Sequence, residues 1–332
     1  MAKRDVPHDV IRPLTIAVVV IMIVAVASLQ LIKRMGGVDV ESDPLMEGDS
    51  LDEIIEQFLP PEGAFDSIFG ENIGSDEMKS TAVNIFARDS DFIEALVSKP
   101  EGNGPFPAIV LIHGEQSSKR VTEQISEDIG ERLSASLGAV VVSVDWRDSD
   151  FGEEDLTDVL STYDWIQDTT QTTGQPVVFF GVDHGAYLAA RAAEELSVDG
   201  VVFAYGYAQP LAQYTFLQEK DEKSAASYIR QTGCDTVVEI DVCLEKLSIT
   251  KGEIGQDMLV VHNVQDAIVP VAQAELLYAA IPEEKRTEIR LDNAELPHDL
   301  FSTHSDDSTA VLTQIETWIS ERLSPVVTND SL

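Results

Sequence analysis

The stretch PVVFFGVDHGAYLAARAA, residues 176–193, decides how the rest of the chain is read. Val177 to Phe180 is a short apolar run of β-branched and aromatic residues, the composition of a buried strand. Gly181-Val182-Asp183-His184-Gly185 follows, and an alanine-rich helix begins after it. Glycines belong at the first and last positions of such a turn, because side chains there collide with the neighbouring strand and helix. The residue held between them is Asp183. What a carboxylate does at that apex is the central question about function.

Working outward, the pattern on both sides is one of strands alternating with helices. Thr81 to Ala87 alternates and is β-rich, Arg88 to Asp91 is a polar turn, and Phe92 to Val97 is a returning strand. Ala108 to Ile112 (AIVLI) is a buried strand ending in His113-Gly114, and Ala139 to Val144 is another, closed by Asp145. Between them Ser126 to Leu137 has helical spacing, with Ile129, Leu133 and Leu137 on one face. Asp155 to Asp168 reads as a helix. Gly200 to Tyr205, Met258 to His262 and Thr287 to Leu291 read as further strands, and Ser308 to Leu323 as a closing amphipathic helix. The class this predicts is α/β: an eight-stranded, mostly parallel sheet with an antiparallel start and helices on both faces. The domain spans 80–324, with a small cap over 208–256 and a tail over 325–332.

Two loops after late strands carry chemistry. Asp266 lies in NVQDAIVP (263–270), three residues before Val269-Pro270, where a loop acid can orient a base. His298 lies in PHDLF (297–301), after the last strand, with His304 as a fallback. Together with FPAIVLIHG (106–114), GVVFAYG (200–206) and the glycine-flanked turn, these motifs resemble the dienelactone hydrolase branch of the α/β-hydrolases over Thr81 to Leu323. The resemblance implies an α/β-hydrolase fold with a nucleophile elbow, G-x-S-x-G, at Gly181 to Gly185 and a triad in the chain order nucleophile, acid, histidine. It places the nucleophile at 183, the acid at Asp266 and the base at His298. The oxyanion donors would be the backbone N–H of His184 and one from the Gly114-Glu115 turn. In that family the elbow nucleophile is Cys, and Ser in relatives; here it is Asp183.

The substitution changes the chemistry that is open to the site. A carboxylate attacking an ester carbonyl yields an anhydride, a poor intermediate. Attack on a saturated carbon yields an alkyl-enzyme ester, which a His-activated water can hydrolyse. Haloalkane and fluoroacetate dehalogenases and epoxide hydrolases of this fold place Asp at the elbow, commonly followed by Trp or Arg where this chain has His184. The cap offers Tyr214 and Tyr228 as donors to an epoxide or leaving group. Ser117 and Ser118 sit in the turn after His113-Gly114, where oxyanion donors or substrate contacts are expected. The rival reading is a binding module that has lost its Ser or Cys, with Asp183 merely paired to His298.

The rest of the chain sets the context. Acidic residues number 59 against 22 basic ones, a formal charge of −37 over 332 residues. So negative a field disfavours nucleic acid and anionic lipid surfaces, and it suits a protein solvated in high salt. Residues 1–12 form a short tail. Pro13 to Ile32 carries no charge, and at 1.5 Å per residue it is about 30 Å long, one hydrocarbon thickness. Lys3, Arg4 and Arg12 precede it and Lys33 and Arg34 follow. This predicts a transmembrane anchor over 13–35, single-pass at the cell membrane, with the bulk of the chain extracytoplasmic. Ala25-Val26-Ala27 also offers a signal-peptide cleavage site, and both readings stay open. Residues 36–79 read as an acidic tether with one short helix around Asp52 to Phe58. Cys234 and Cys243, the only two cysteines, suit a local disulfide in an exported cap. No phosphate loop, zinc spacing or repeat is present, so the expected partners are a small-molecule substrate and the bilayer, without a cofactor or metal.

Overall fold

The computed structural model describes residues 80–324, apart from 90, 115–121, 123, 148–152, 170, 252–253, 295, 297, 299 and 303–304. The expected anchor, tether and C-terminal tail, and Glu115, Ser117, Ser118 and His304, lie outside the described residues. No helix among the described residues is long and apolar enough to cross a membrane.

Eight strands form a single sheet: β1 (Thr81–Phe86), β2 (Phe92–Ser98), β3 (Ala108–Ile112), β4 (Val140–Asp145), β5 (Val177–Val182), β6 (Gly200–Ala204), β7 (Met258–Asn263) and β8 (Arg286–Leu291). Their spatial order is β1-β2-β4-β3-β5-β6-β7-β8. β1 pairs antiparallel with β2 and β2 with β4, and every later pairing is parallel. The sequence explains the gradient across the sheet. β3, β5 and β6 are unbroken apolar runs, and β7 is one up to its polar end at His262-Asn263; all four are buried along their whole length because helices cover both faces. β1 and β2 alternate, burying one face only. β8 (RTEIRL) closes the far edge with charged residues, which discourages pairing with another chain.

Between the strands run α1 (Glu131–Leu137), preceded by a π-helical turn over Ser126–Gly130, α2 (Glu153–Asp168) and α3 (His184–Glu195). The cap consists of α4 (Pro210–Lys220), α5 (Glu222–Gln231) and α6 (Ile240–Lys246), and it is followed by α7 (Ala272–Ala280) and α8 (Asp306–Leu323). One core forms where Val110, Phe179, Phe203 and Val260 meet α2, α3 and α7 through Val159, Ile166, Ala189 and Leu277. The other forms where Leu111, Phe180, Val202 and Leu259 meet α1 and α8 through Leu133, Ile315, Trp318 and Ile319. The alternating direction of side chains along each strand feeds the two cores from one sheet.

A smaller cluster of Ile229, Cys234 and Leu244 holds the cap together. Cys234 and Cys243 form a disulfide across it. The helices α4 to α7 are absent from the sequence reading. Their start signals are nonetheless present: Pro210 opens α4, and the Asp221 carboxylate caps α5 by accepting from the amides of Lys223 and Ser224.

Candidate active site

The carboxyl ends of the parallel strands converge on one cavity, the usual place for a ligand in such a sheet. Gly114 follows β3, Asp183 follows β5, Tyr205 to Tyr207 follow β6, Asp266 follows β7 and His298 follows β8. The cavity has a volume of about 840 Å³ and is lined by Gly114, Asp183, His298 and Tyr207 below and by Leu217 and Tyr228 of the cap above. That is within the ~300–1,000 Å³ range of small-molecule sites.

Asp183 is held at φ 54°, ψ −119°, a conformation L-residues rarely adopt. The surrounding backbone enforces it. The Asp183 amide donates to Ala204 O at 2.8 Å, and its carbonyl accepts from Ala186 N at 3.0 Å as α3 begins. The flanking glycines are required by close approach. A Cβ on Gly181 would lie 2.2 Å from Gly185 O, and one on Gly185 would lie 2.2 Å from Ile112 O. A Cβ on Gly114 would fall 2.9 Å from Asp183 Oδ2, so the bare backbone of that turn faces the carboxylate.

His298 lies between two carboxylates. Its Nδ1 donates to Asp266 Oδ2 at 2.6 Å, and its Nε2 faces Asp183 Oδ1 at 3.4 Å, an ion-pair contact rather than a short hydrogen bond. The Asp266 side chain is fully buried and fixed from its other oxygen, where Oδ1 accepts from Ile268 N at 2.8 Å and Val269 N at 3.1 Å. His262 supports the same loop by donating from Nε2 to Val269 O at 3.0 Å.

Protonation follows from these contacts. Burial alone would push the Asp266 carboxyl up, but His298 and the two amides hold it below its ordinary value. Burial pushes the His298 imidazole down, but the Asp183 and Asp266 carboxylates outweigh it and raise it to about 10. At His262 burial outweighs the Val269 carbonyl and the Asp266 carboxylate, and the imidazole is held below its ordinary value. With Asp183 ionised, His298 therefore carries a proton at neutral pH.

A second buried cluster, unforeseen in the sequence, lies directly behind the elbow. The His184 imidazole is buried, with Nδ1 hydrogen-bonded to the Tyr207 hydroxyl and Nε2 3.3 Å from the buried Asp155 carboxylate. Trp146 and Tyr187 pack against the imidazole, and Tyr207 meets Tyr228 of the cap edge-on. The sequence reading used His184 only for its backbone N–H. Tyr214 of the cap packs in the cores and is not among the cavity-lining residues. Among the described residues, no group of three or more His, Cys, Asp or Glu side chains is arranged to hold a metal ion.

These features are those of the α/β-hydrolase fold, and comparison with solved structures agrees. The chain superposes on an esterase from Pyrobaculum calidifontis with TM-score 0.59 at 19% identity, covering 74% of this chain and 86% of that one. It superposes on an esterase from Pyrococcus furiosus with TM-score 0.56 at 15% identity, covering 76% and 96%. An acylaminoacyl peptidase from Pyrococcus horikoshii gives TM-score 0.61 at 16% identity, covering 80% of this chain and 44% of that one. By sequence the chain is similar to dipeptidyl aminopeptidase B of Saccharomyces cerevisiae, 26% identical over 188 residues. That match takes in 52% of this chain and only 22% of the yeast protein's length. No protein-family model matches the chain.

Proposed function

We propose that the chain is a hydrolase of the α/β-hydrolase type in which Asp183 is the nucleophile, His298 the base and Asp266 the orienting acid. The observation that carries this reading is His298 set between Asp266 and Asp183, at 2.6 and 3.4 Å, on the floor of a roomy cavity. The esterase and peptidase neighbours support the hydrolase class. The dienelactone-hydrolase likeness rests on the short motifs, and the carboxylate at 183 directs the chemistry towards small epoxides or alkyl halides.

The charge on His298 fits two steps. Asp183 attacks a saturated carbon; a C–O bond to the enzyme forms while the bond to the epoxide oxygen or halide breaks. The resulting ester is neutral, so the main attraction holding the proton on His298 disappears and the imidazole gives it up. His298 then takes a proton from water, the hydroxide attacks the Asp183 ester carbonyl, and alcohol leaves as the carboxylate returns. The oxyanion of that second step would be met by the His184 N–H and the backbone at Gly114.

A second reading, a binding module without turnover, is favoured by one observation: the resting carboxylate of Asp183 is already paired with His298, at 3.4 Å. Trapping separates the two. The His298→Gln variant, incubated with an epoxide or alkyl halide and mapped by mass spectrometry, is expected to accumulate an alkyl ester on Asp183. Binding without an adduct supports the module, and ester turnover that survives Asp183→Ala places the nucleophile elsewhere. We further propose that residues 13–32 anchor the chain in the membrane with this domain extracytoplasmic. The disulfide in the cap supports an oxidising compartment.

A further inference from the structure

The loop that carries Asp266 is held at three consecutive carbonyls, and two of the donors come from the cap. Val269 O accepts from His262 Nε2 of β7 at 3.0 Å. Ile268 O accepts from Gln213 Nε2 of α4 at 3.0 Å, and Ala267 O accepts from Lys220 Nζ at the end of the same helix. The two carbonyls gripped by the cap belong to the same peptide groups whose N–H bonds fix the acid. Ala267 O shares a planar peptide with Ile268 N, and Ile268 O shares one with Val269 N; both amides donate to Asp266 Oδ1. A hydrogen bond accepted by such a carbonyl polarises the peptide and strengthens the bond that its N–H donates. The cap is fastened to the same stretch of chain at a second point. Gln273 of α7 accepts at Oε1 from the amides of Ala208 and Gln209, both at 2.9 Å, and donates from Nε2 to Gln209 O at 3.1 Å.

Gln213 is the telling member of this set. It is only 3% exposed, while Ile268, whose carbonyl it holds, is 55% exposed. Carbonyls of an exposed loop are ordinarily satisfied by water, so folding does not require a buried amide to reach one. We propose that Gln213, with Lys220 beside it, is a positioning residue for the acid–base pair: the seated cap sets Asp266, and Asp266, at 2.6 Å from Nδ1, sets the aim of His298. This role rests on the nucleophile, base and acid proposed above, and the chemistry assigns it to one step. When Asp183 attacks an alkyl bromide, a C–O bond forms as the C–Br bond breaks and bromide leaves, with no base involved. Hydrolysis of the ester needs the base: His298 takes a proton from water as the hydroxide adds to the ester carbonyl. That proton passes to the departing alkoxide, which leaves as alcohol, and Asp183 is restored. A loosened acid loop therefore slows the second step and spares the first.

The test times the two steps separately in the full chain. Parent, Gln213→Met and Lys220→Met proteins are alkylated with 2-phenylethyl bromide, excess reagent is removed, and loss of the Asp183 ester is followed by peptide mass. His298→Gln serves as the trap that verifies ester formation. Gln213→Met keeps the length of the side chain and removes the donor. It is expected to alkylate at the parent rate and to lose the ester at least tenfold more slowly, and about 10²-fold if His298 is misplaced by an ångström. Lys220 is exposed, so its variant avoids the core; it is expected to slow the same step about threefold, the worth of one modest hydrogen bond. A second readout needs no reagent: the proton NMR signal of His298 Nδ1–H is expected to shift in Gln213→Met while near-UV circular dichroism stays unchanged. Parent-like ester loss in Gln213→Met overturns the proposal, and so does equal slowing of both steps, because the glutamine is then only structural. Absence of any ester in His298→Gln overturns the nucleophile reading instead, and the Nδ1–H signal then decides on Gln213 by itself: a shift upholds the positioning, and an unmoved signal overturns it.

Discussion

Replacing Asp183 with Asn removes one negative charge from beside His298 while keeping the shape of the side chain, and it mimics the charge change that esterification would bring. Nε2 of His298 lies 3.4 Å from Asp183 Oδ1, with 11% of the imidazole side chain exposed. At that separation and an effective dielectric of about 20, two unit charges attract by about 5 kcal/mol. Each pKa unit corresponds to about 1.4 kcal/mol, so losing the partner lowers the imidazole by about 3 to 4 units. From the value of about 10 that it has between two carboxylates, it falls to about 6 to 7, where a histidine serves as a base near neutrality. The assay is titration of the His298 ring by nitrogen NMR in the full chain and in Asp183→Asn, with His298→Gln to assign the signal. A shift of less than one unit refutes the reasoning. It would mean that Asp183 does not hold the proton, and that forming the ester cannot release it.

Four further outcomes follow from the same geometry. Gly185→Ala puts a methyl 2.2 Å from Ile112 O, where backbone must move; a loss of at least about 3 kcal/mol by urea unfolding is expected. Gly114→Ala puts a methyl 2.9 Å from Asp183 Oδ2, so Asp183 alkylation should fall at least tenfold while near-UV circular dichroism is unchanged. Cys234→Ser with Cys243→Ser opens a link of sequence separation 9; chain entropy puts the cost at about 2 to 3 kcal/mol, read as earlier hydrogen exchange in α5 and α6. The raised His298 value gives a signed pH dependence: its stabilisation is complete below the ordinary 6.5 and is lost as pH rises through about 10. The urea midpoint should therefore decline across that window in the parent protein and stay flatter in His298→Gln.

The sheet was legible because most of its strands are buried on both faces. β3 matches its apolar run residue for residue, and β5 extends past Phe180 only because Gly181 and Val182 keep strand pairing with β6 up to the turn. β8 was found despite its charges, since Thr287 to Leu291 still alternates; Arg286 joins it through pairing with Met258, which no local pattern records. The cap was legible as a segment and illegible as helices. α4 is held by contacts with α5, α6 and the domain beneath rather than by a clean apolar stripe, so periodicity is faint where tertiary packing decides.

The site was legible to the extent that it follows chain order. Asp183, Asp266 and His298 each end a segment whose strand could be read, so the loops could be placed at one edge of the sheet before any distance was known. The Asp155–His184–Tyr207 cluster has no such signature. Asp155 sits inside a helix, His184 opens one, and Tyr207 trails a strand, with 29 residues separating the first contact and 23 the second. Composition gives no reason to join them. Burial does: a carboxylate, an imidazole and a phenol excluded from water satisfy one another or unfold the site. The same physics sets the task of His298. His298 is protonated by neighbours of which one, Asp183, loses its charge in the proposed reaction, so its proton is released on cue.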